Sequence, residues 1–145
     1  MFVLDTNVVS ELREVHAGKA NALLARWADG VDAIDLYLSA IVVLELETGV
    51  LRMERRDAIQ GAALRLWLDR QVPPEFSGRI LPIDTEVARC RARLRVPDPR
   101  AERGALIAAT AIVHVMTVVT WNSADFAPTG VAVLNPWDGP GPEGA

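Results

Sequence analysis

The chain has 145 residues, half of them hydrophobic and 23% charged, with a net charge of −4. That is the size and balance of one folded domain, and it excludes a disordered chain. It also argues against a module that relies on a broad basic surface, and the single cysteine, Cys90, excludes an internal disulfide framework and a cysteine-based zinc site.

Phe2-Val3-Leu4 is a short apolar run that stops at Asp5 and reads as a first strand. Having no basic leader before its first acid, this opening does not read as a signal peptide. Residues 6–13 and 20–28 read as helices, the second with Leu23, Leu24 and Trp27 on one face. Leu36-Tyr37-Leu38 reads as a second strand, and Ser39 as the N-cap of a helix running to about Leu51. A further helix is expected over about 54–71, stopped by Pro73-Pro74. Arg79-Ile80-Leu81 is a third strand. Asp84 or Thr85 then caps a helix with Val87, Cys90 and Leu94 on one side, broken by Pro97 and Pro99. Residues 103–114 form an almost wholly apolar helix, expected to be buried on most sides. Strands follow at Thr117–Thr120 and Val131–Leu134, and residues 138–145 read as a Gly/Pro-rich frayed tail.

Strands separated by helices need crossover connections, so the expectation is a three-layer α/β/α domain over residues 1–137 with a mainly parallel sheet. No apolar run reaches the roughly 18 residues of a membrane span, and a cytoplasmic location fits best.

Ligands of open parallel sheets bind beyond the carboxyl ends of the strands, at a switch in strand order. The first strand delivers Asp5, Thr6 and Asn7 there, and the Thr117–Thr120 strand delivers Asn122 and Asp125. The two groups meet only if those strands are neighbours. Glu45 is a third candidate, because it interrupts the apolar helical run Ile41-Val42-Val43-Leu44 and Leu46, where a carboxylate is costly unless a cation compensates it. Glu47 lies about 200° further round the helix and should face away. Carboxylates converging without cysteine or suitably spaced histidine select a hard dication, Mg²⁺ or Mn²⁺. Such an ion suits phosphodiester hydrolysis. Structural roles are open for each acid: Asp5 can cap the helix at residue 6, Glu45 can pair with a buried arginine, and Asp125 can cap a turn before Phe126. His114 ends the apolar helix and reads as satisfying its last carbonyls. Lys19 is the only lysine among 15 basic residues; arginine suits bidentate phosphate contacts, and the bias equally suits a GC-rich coding sequence.

The opening Met1-Phe-Val-Leu-Asp-Thr-Asn-Val-Val-Ser-Glu-Leu-Arg13 resembles that of VapC-type PIN-domain toxins. Leu38-Ser-Ala-Ile-Val-Val-Leu-Glu-Leu46, Ala105-Leu-Ile-Ala-Ala-Thr-Ala111 and Thr120-Trp-Asn-Ser-Ala-Asp-Phe126 resemble the later motifs of that family, in order, and Val133-Leu-Asn-Pro-Trp137 resembles its usual ending. The resemblance implies a ribonuclease that uses Mg²⁺ or Mn²⁺, is commonly a homodimer, and is neutralised by a cognate antitoxin. It implies Asp5, Glu45 and Asp125 as metal-binding acids, with Asn7 and Asn122 in support.

Two positions depart from the family. The family's third acid stands just before the Ala105 run, where this chain has Gly104. Glu102 and Asp98 are the candidate substitutes. Trp121 stands where relatives often carry an arginine, which weakens phosphate contacts. The competing reading is a catalytically inactive variant that keeps antitoxin or RNA binding. A receiver domain or a haloacid-dehalogenase-like phosphatase needs a lysine near the late strands, and the only lysine is Lys19.

Overall fold

The computed structural model describes residues 1–94 and 101–138. Five strands form one parallel sheet: β1 (Phe2–Leu4), β2 (Leu36–Ser39), β3 (Ile80–Leu81), β4 (Thr117–Val119) and β5 (Val133–Leu134), in the order β3-β2-β1-β4-β5. The helices are α1 (Thr6–His16), α2 (Ala22–Asp29), α3 (Ala40–Arg56), α4 (Ala58–Arg70), α5 (Val72–Glu75), α6 (Thr85–Arg93), α7 (Glu102–Val113) and α8 (Ser123–Phe126). The architecture is α/β/α, with helical crossovers joining strands of like direction.

Because β1 pairs with β2 on one side and β4 on the other, the chain reverses its direction of travel across the sheet at β1. Val3 and Leu4 of β1 and Val118 and Val119 of β4 are fully enclosed. The small apolar residues of α7 let it lie close on this centre: Ala105, Ala108, Ala109 and Ala111 are buried, with Ile107 wedged among them. Among the described residues no helix is long and apolar enough to cross a membrane.

Several local expectations are adjusted. Ser39 caps α3 through Ile41 N (3.3 Å), but that helix runs on to Arg56. The break to α4 is Asp57 alone. Its N–H donates to Met53 O at 2.8 Å, and its side chain accepts from Ile59 N and Gln60 N, both at 3.1 Å. Asp57 therefore closes one helix and opens the next. Leu23 is exposed while Leu24 is buried and Trp27 packs on the core, so the apolar face of α2 is narrower than the three residues suggest. Asp84, not Thr85, caps α6 through Val87 N (3.0 Å); Leu94 is the C-cap residue of that helix and packs against the core. Pro97, Pro99 and the tail beyond Asp138 lie outside the described residues.

Candidate active site

The site begins where β1 and β4 end side by side. Asp5 N donates to Val119 O (2.9 Å), which extends the ladder by one residue and fixes Asp5 at the carboxyl edge of the sheet. Its carboxylate is nearly enclosed and divided in its duties. Oδ1 accepts from Thr6 N (2.8 Å) and caps α1, whereas Oδ2 accepts from Thr120 Oγ1 (2.7 Å) and Asn7 Nδ2 (3.0 Å). The capping role and a place in the site therefore coexist in one residue. Thr120 Oγ1 also accepts from Asn122 N (3.0 Å), and Trp121 N donates to Asn7 Oδ1 (3.3 Å). Asn7 and Thr120 thus tie the two strand ends together.

Asp5, Glu45 and Asp125 line one cavity of about 480 Å³, together with Thr6, Asn7, Asn122, Trp121, Arg103 and Gly104. Glu45 reaches it from the second turn of α3 and Asp125 from α8. Burial pushes the Asp5 carboxyl above its ordinary range, and the Asp125 charge adds to this; the bonds from Thr120, Thr6 and Asn7 pull it back. Glu45 is likewise raised by burial and by the charge on Asp5, and lowered by Arg103 and the Thr6 hydroxyl. Thr6 Oγ1 nevertheless makes no hydrogen bond of ordinary geometry and is buried without a partner among the described residues. The arginine facing Glu45 acts at a distance: among the described residues no ion pair within 4.0 Å includes Glu45. Glu47 turns away, to Arg65 Nη1 at 2.6 Å.

Gly104 lies in the cavity wall, in the first turn of α7. Among the described residues a Cβ built there meets only Phe126 Cζ, at 3.9 Å, so they leave room for a side chain in the wall. Of the two candidate substitutes, Glu102 is engaged elsewhere: Arg91 Nε lies 3.0 Å from each of its oxygens, and it does not line the cavity. Asp98 lies outside the described residues. The imidazole Nε2 of His114 is buried without a partner among the described residues, and the backbone N–H of His114 closes the helix.

Thr120 and Arg103 escape a reading of the sequence. Thr120 is the last of four β-branched residues and reads as strand, and Arg103 reads as the start of an apolar helix. The rule that identifies Asp5, that polar residues just past a strand face the ligand, identifies Thr120 as well.

The donors facing the cavity are oxygens, which suits a hard dication. Among the described residues, however, no three His, Cys, Asp or Glu side chains are close enough to hold a metal as a group. The set therefore fits an ion that keeps most of its waters and is held through one or two carboxylates, as Mg²⁺ commonly is. It does not form a closed cage.

A parallel α/β/α sheet with acids gathered at its switch point defines a small domain built around an acidic cleft. The model of the PIN domain family matches residues 2–130, and the chain belongs to that family, in its VapC-type branch. It is 38% identical to toxin FitB of Neisseria gonorrhoeae over 94% of this chain and 99% of that one. It is 35% identical to VapC ribonuclease Y4jK of Sinorhizobium fredii over 95% and 99%. The crystal structure of FitAcB from Neisseria gonorrhoeae superposes with a TM-score of 0.83 at 37% identity, covering 94% of this chain and 99% of that one.

Proposed function

We propose that this domain is an endoribonuclease toxin dependent on Mg²⁺ or Mn²⁺. It acts in the cytoplasm on RNA phosphodiester bonds, assembles as a homodimer and is held in check by a cognate antitoxin. The observation that carries the reading is the meeting of Asp5, Glu45 and Asp125, from three separate segments, in one open cavity. The relatives named as a ribonuclease and as a toxin support it.

Asp5 and Asp125 are the residues to hold the ion, with Glu45 across the cavity. The ion supplies Lewis acidity and a bound water of lowered pKa. The chain's own part is orientation and charge. Asn7 and Thr120 fix the Asp5 carboxylate, and Arg103 offers a planar donor to a phosphate entering the cavity. The uncompensated carboxylates equally invite an arginine of the antitoxin, which relieves their mutual repulsion.

Gly104 attenuates this activity, because a dication held by few carboxylates depends on each for charge and direction. The alternative, an inactive variant that keeps antitoxin or RNA binding, is favoured by the same glycine and by the lack of a three-acid group among the described residues. RNA cleavage by the parent, Gly104→Asp and Gly104→Ala at fixed Mn²⁺, beside calorimetric Mn²⁺ titration, separates the two. A gain of about 100-fold is expected for Gly104→Asp, the scale of correcting an ångström of misplacement. It should come with tighter Mn²⁺ binding, while Gly104→Ala follows the parent. Equal cleavage by parent and Gly104→Asp overturns attenuation, and no cleavage by either establishes the inactive reading.

A further inference from the structure

We propose that Trp121 is a base-stacking platform at the lip of the acidic cavity, a positioning residue for a nucleotide flanking the scissile phosphate. The inference rests on the reading of the cavity as an RNA site. An indole is among the side chains most heavily buried on average, yet Trp121 is 56% exposed. Its exposure is not that of a loose loop, because three anchors hold it. Trp121 N donates to Asn7 Oδ1 (3.3 Å), and its carbonyl accepts from Asn135 Nδ2 (3.2 Å). Its ring rests against Trp137 with centroids 5.8 Å apart, tilted by 53°. Two of these anchors, Asn135 and Trp137, belong to the segment that follows β5, which otherwise has no part in the acidic centre.

The ring also lines the same cavity as Asp5 and Asp125. A phosphate placed among those acids carries its neighbouring nucleotides toward the lip, where a flat, fixed π surface waits. Stacking needs no hydrogen-bond code, since every base has a π face, so the platform grips single strands with little sequence preference. Bases inside a duplex already stack on one another and cannot use it.

The test is binding of a fluorescein-labelled single-stranded RNA, and of the matching duplex, to the parent, Trp121→Ala and Trp121→Phe. Ca²⁺ replaces Mg²⁺, because it fills oxygen sites without imposing octahedral geometry. Trp121→Ala should bind the single strand about tenfold more weakly, and Trp121→Phe within roughly threefold of the parent. Duplex binding should not change. The quench of intrinsic fluorescence that RNA causes in the parent, which has four tryptophans, should largely vanish in Trp121→Phe. If the parent binds RNA and Trp121→Ala binds it equally well, the inference fails while the RNA reading stands. It fails in the same way if Trp121→Ala disturbs only binding of a protein partner. If the parent binds no RNA at all, the RNA reading fails and the inference with it.

Discussion

Glu45 sits half-buried in α3, near the Asp5 carboxylate and facing the Arg103 guanidinium, and its proton is held more tightly in the folded chain than in the unfolded one. The protonated folded form is fully favoured below the ordinary glutamate pKa. That advantage is lost as pH rises through the raised folded value, so at neutral pH the charged side chain works against folding. Glu45→Gln should therefore melt at a higher temperature than the parent at pH 7, with the gap closing toward pH 4. Thermal scans across that range check it, and a constant gap refutes the electrostatic cause. Thr120 argues the other way. Its buried hydroxyl donates to Asp5 and accepts from Asn122 N, so Thr120→Val takes the acceptor from Asn122 N and leaves Asp5 Oδ2 with Asn7 alone. Urea unfolding should show a loss of about 1–3 kcal/mol, with Thr120→Ser close to the parent. At this scale the sequence exposes the acids, because a carboxylate after a strand or inside an apolar run stands out. It conceals Thr120, because a hydroxyl at a strand end looks like one more β-branched residue.

Helix boundaries show a different limit. The chain from Ala40 to Arg70 reads as two helices, and it is two, but the periodicity places the break several residues before Asp57. One residue suffices as the joint because Asp57 satisfies the end of α3 with its N–H and the start of α4 with its carboxylate. Apolar spacing carries no trace of that double duty. The two helices then approach so closely that a Cβ on Gly61 would lie 2.5 Å from Glu54 Cα. Backbone cannot swing aside as a side chain can, so Gly61→Ala should cost about 1–3 kcal/mol by overpacking, despite alanine's better helix propensity. Thermal denaturation measures it; an unchanged or raised melting temperature means that α3 and α4 can slide apart freely. Beside this crossing Arg65 gathers Glu47, Glu54 and Asp69, an exposed cluster of low individual worth.

For the molecule as a whole, alternation of strands and helices announces a parallel sheet, whereas strand order is a long-range matter that no local pattern records. The meeting of Asp5 with Asp125 depends on β1 lying beside β4, and only the fold settles that. A dication bound at the resulting cleft stabilises the folded chain by mass action, by about 2.7 kcal/mol at 100 times its dissociation constant. Mn²⁺ should accordingly raise the melting temperature, and less so on acidification, as the raised carboxyls of Asp5 and Glu45 take up protons that compete with the ion. A melting temperature indifferent to Mn²⁺ at neutral pH would count against any metal at this site. The bond between Asp5 and Thr120 spans 115 residues of sequence. Ribosomes add about 5–20 residues per second, so on the order of ten seconds separate the synthesis of the two partners. Throughout that interval β1 has an open edge where β4 will pair, a surface that invites other strands. The cleft stays unfinished until Thr117 to Asp125 have emerged and β4 has paired with β1, so the acids of the site lie apart for most of the time the domain takes to be made.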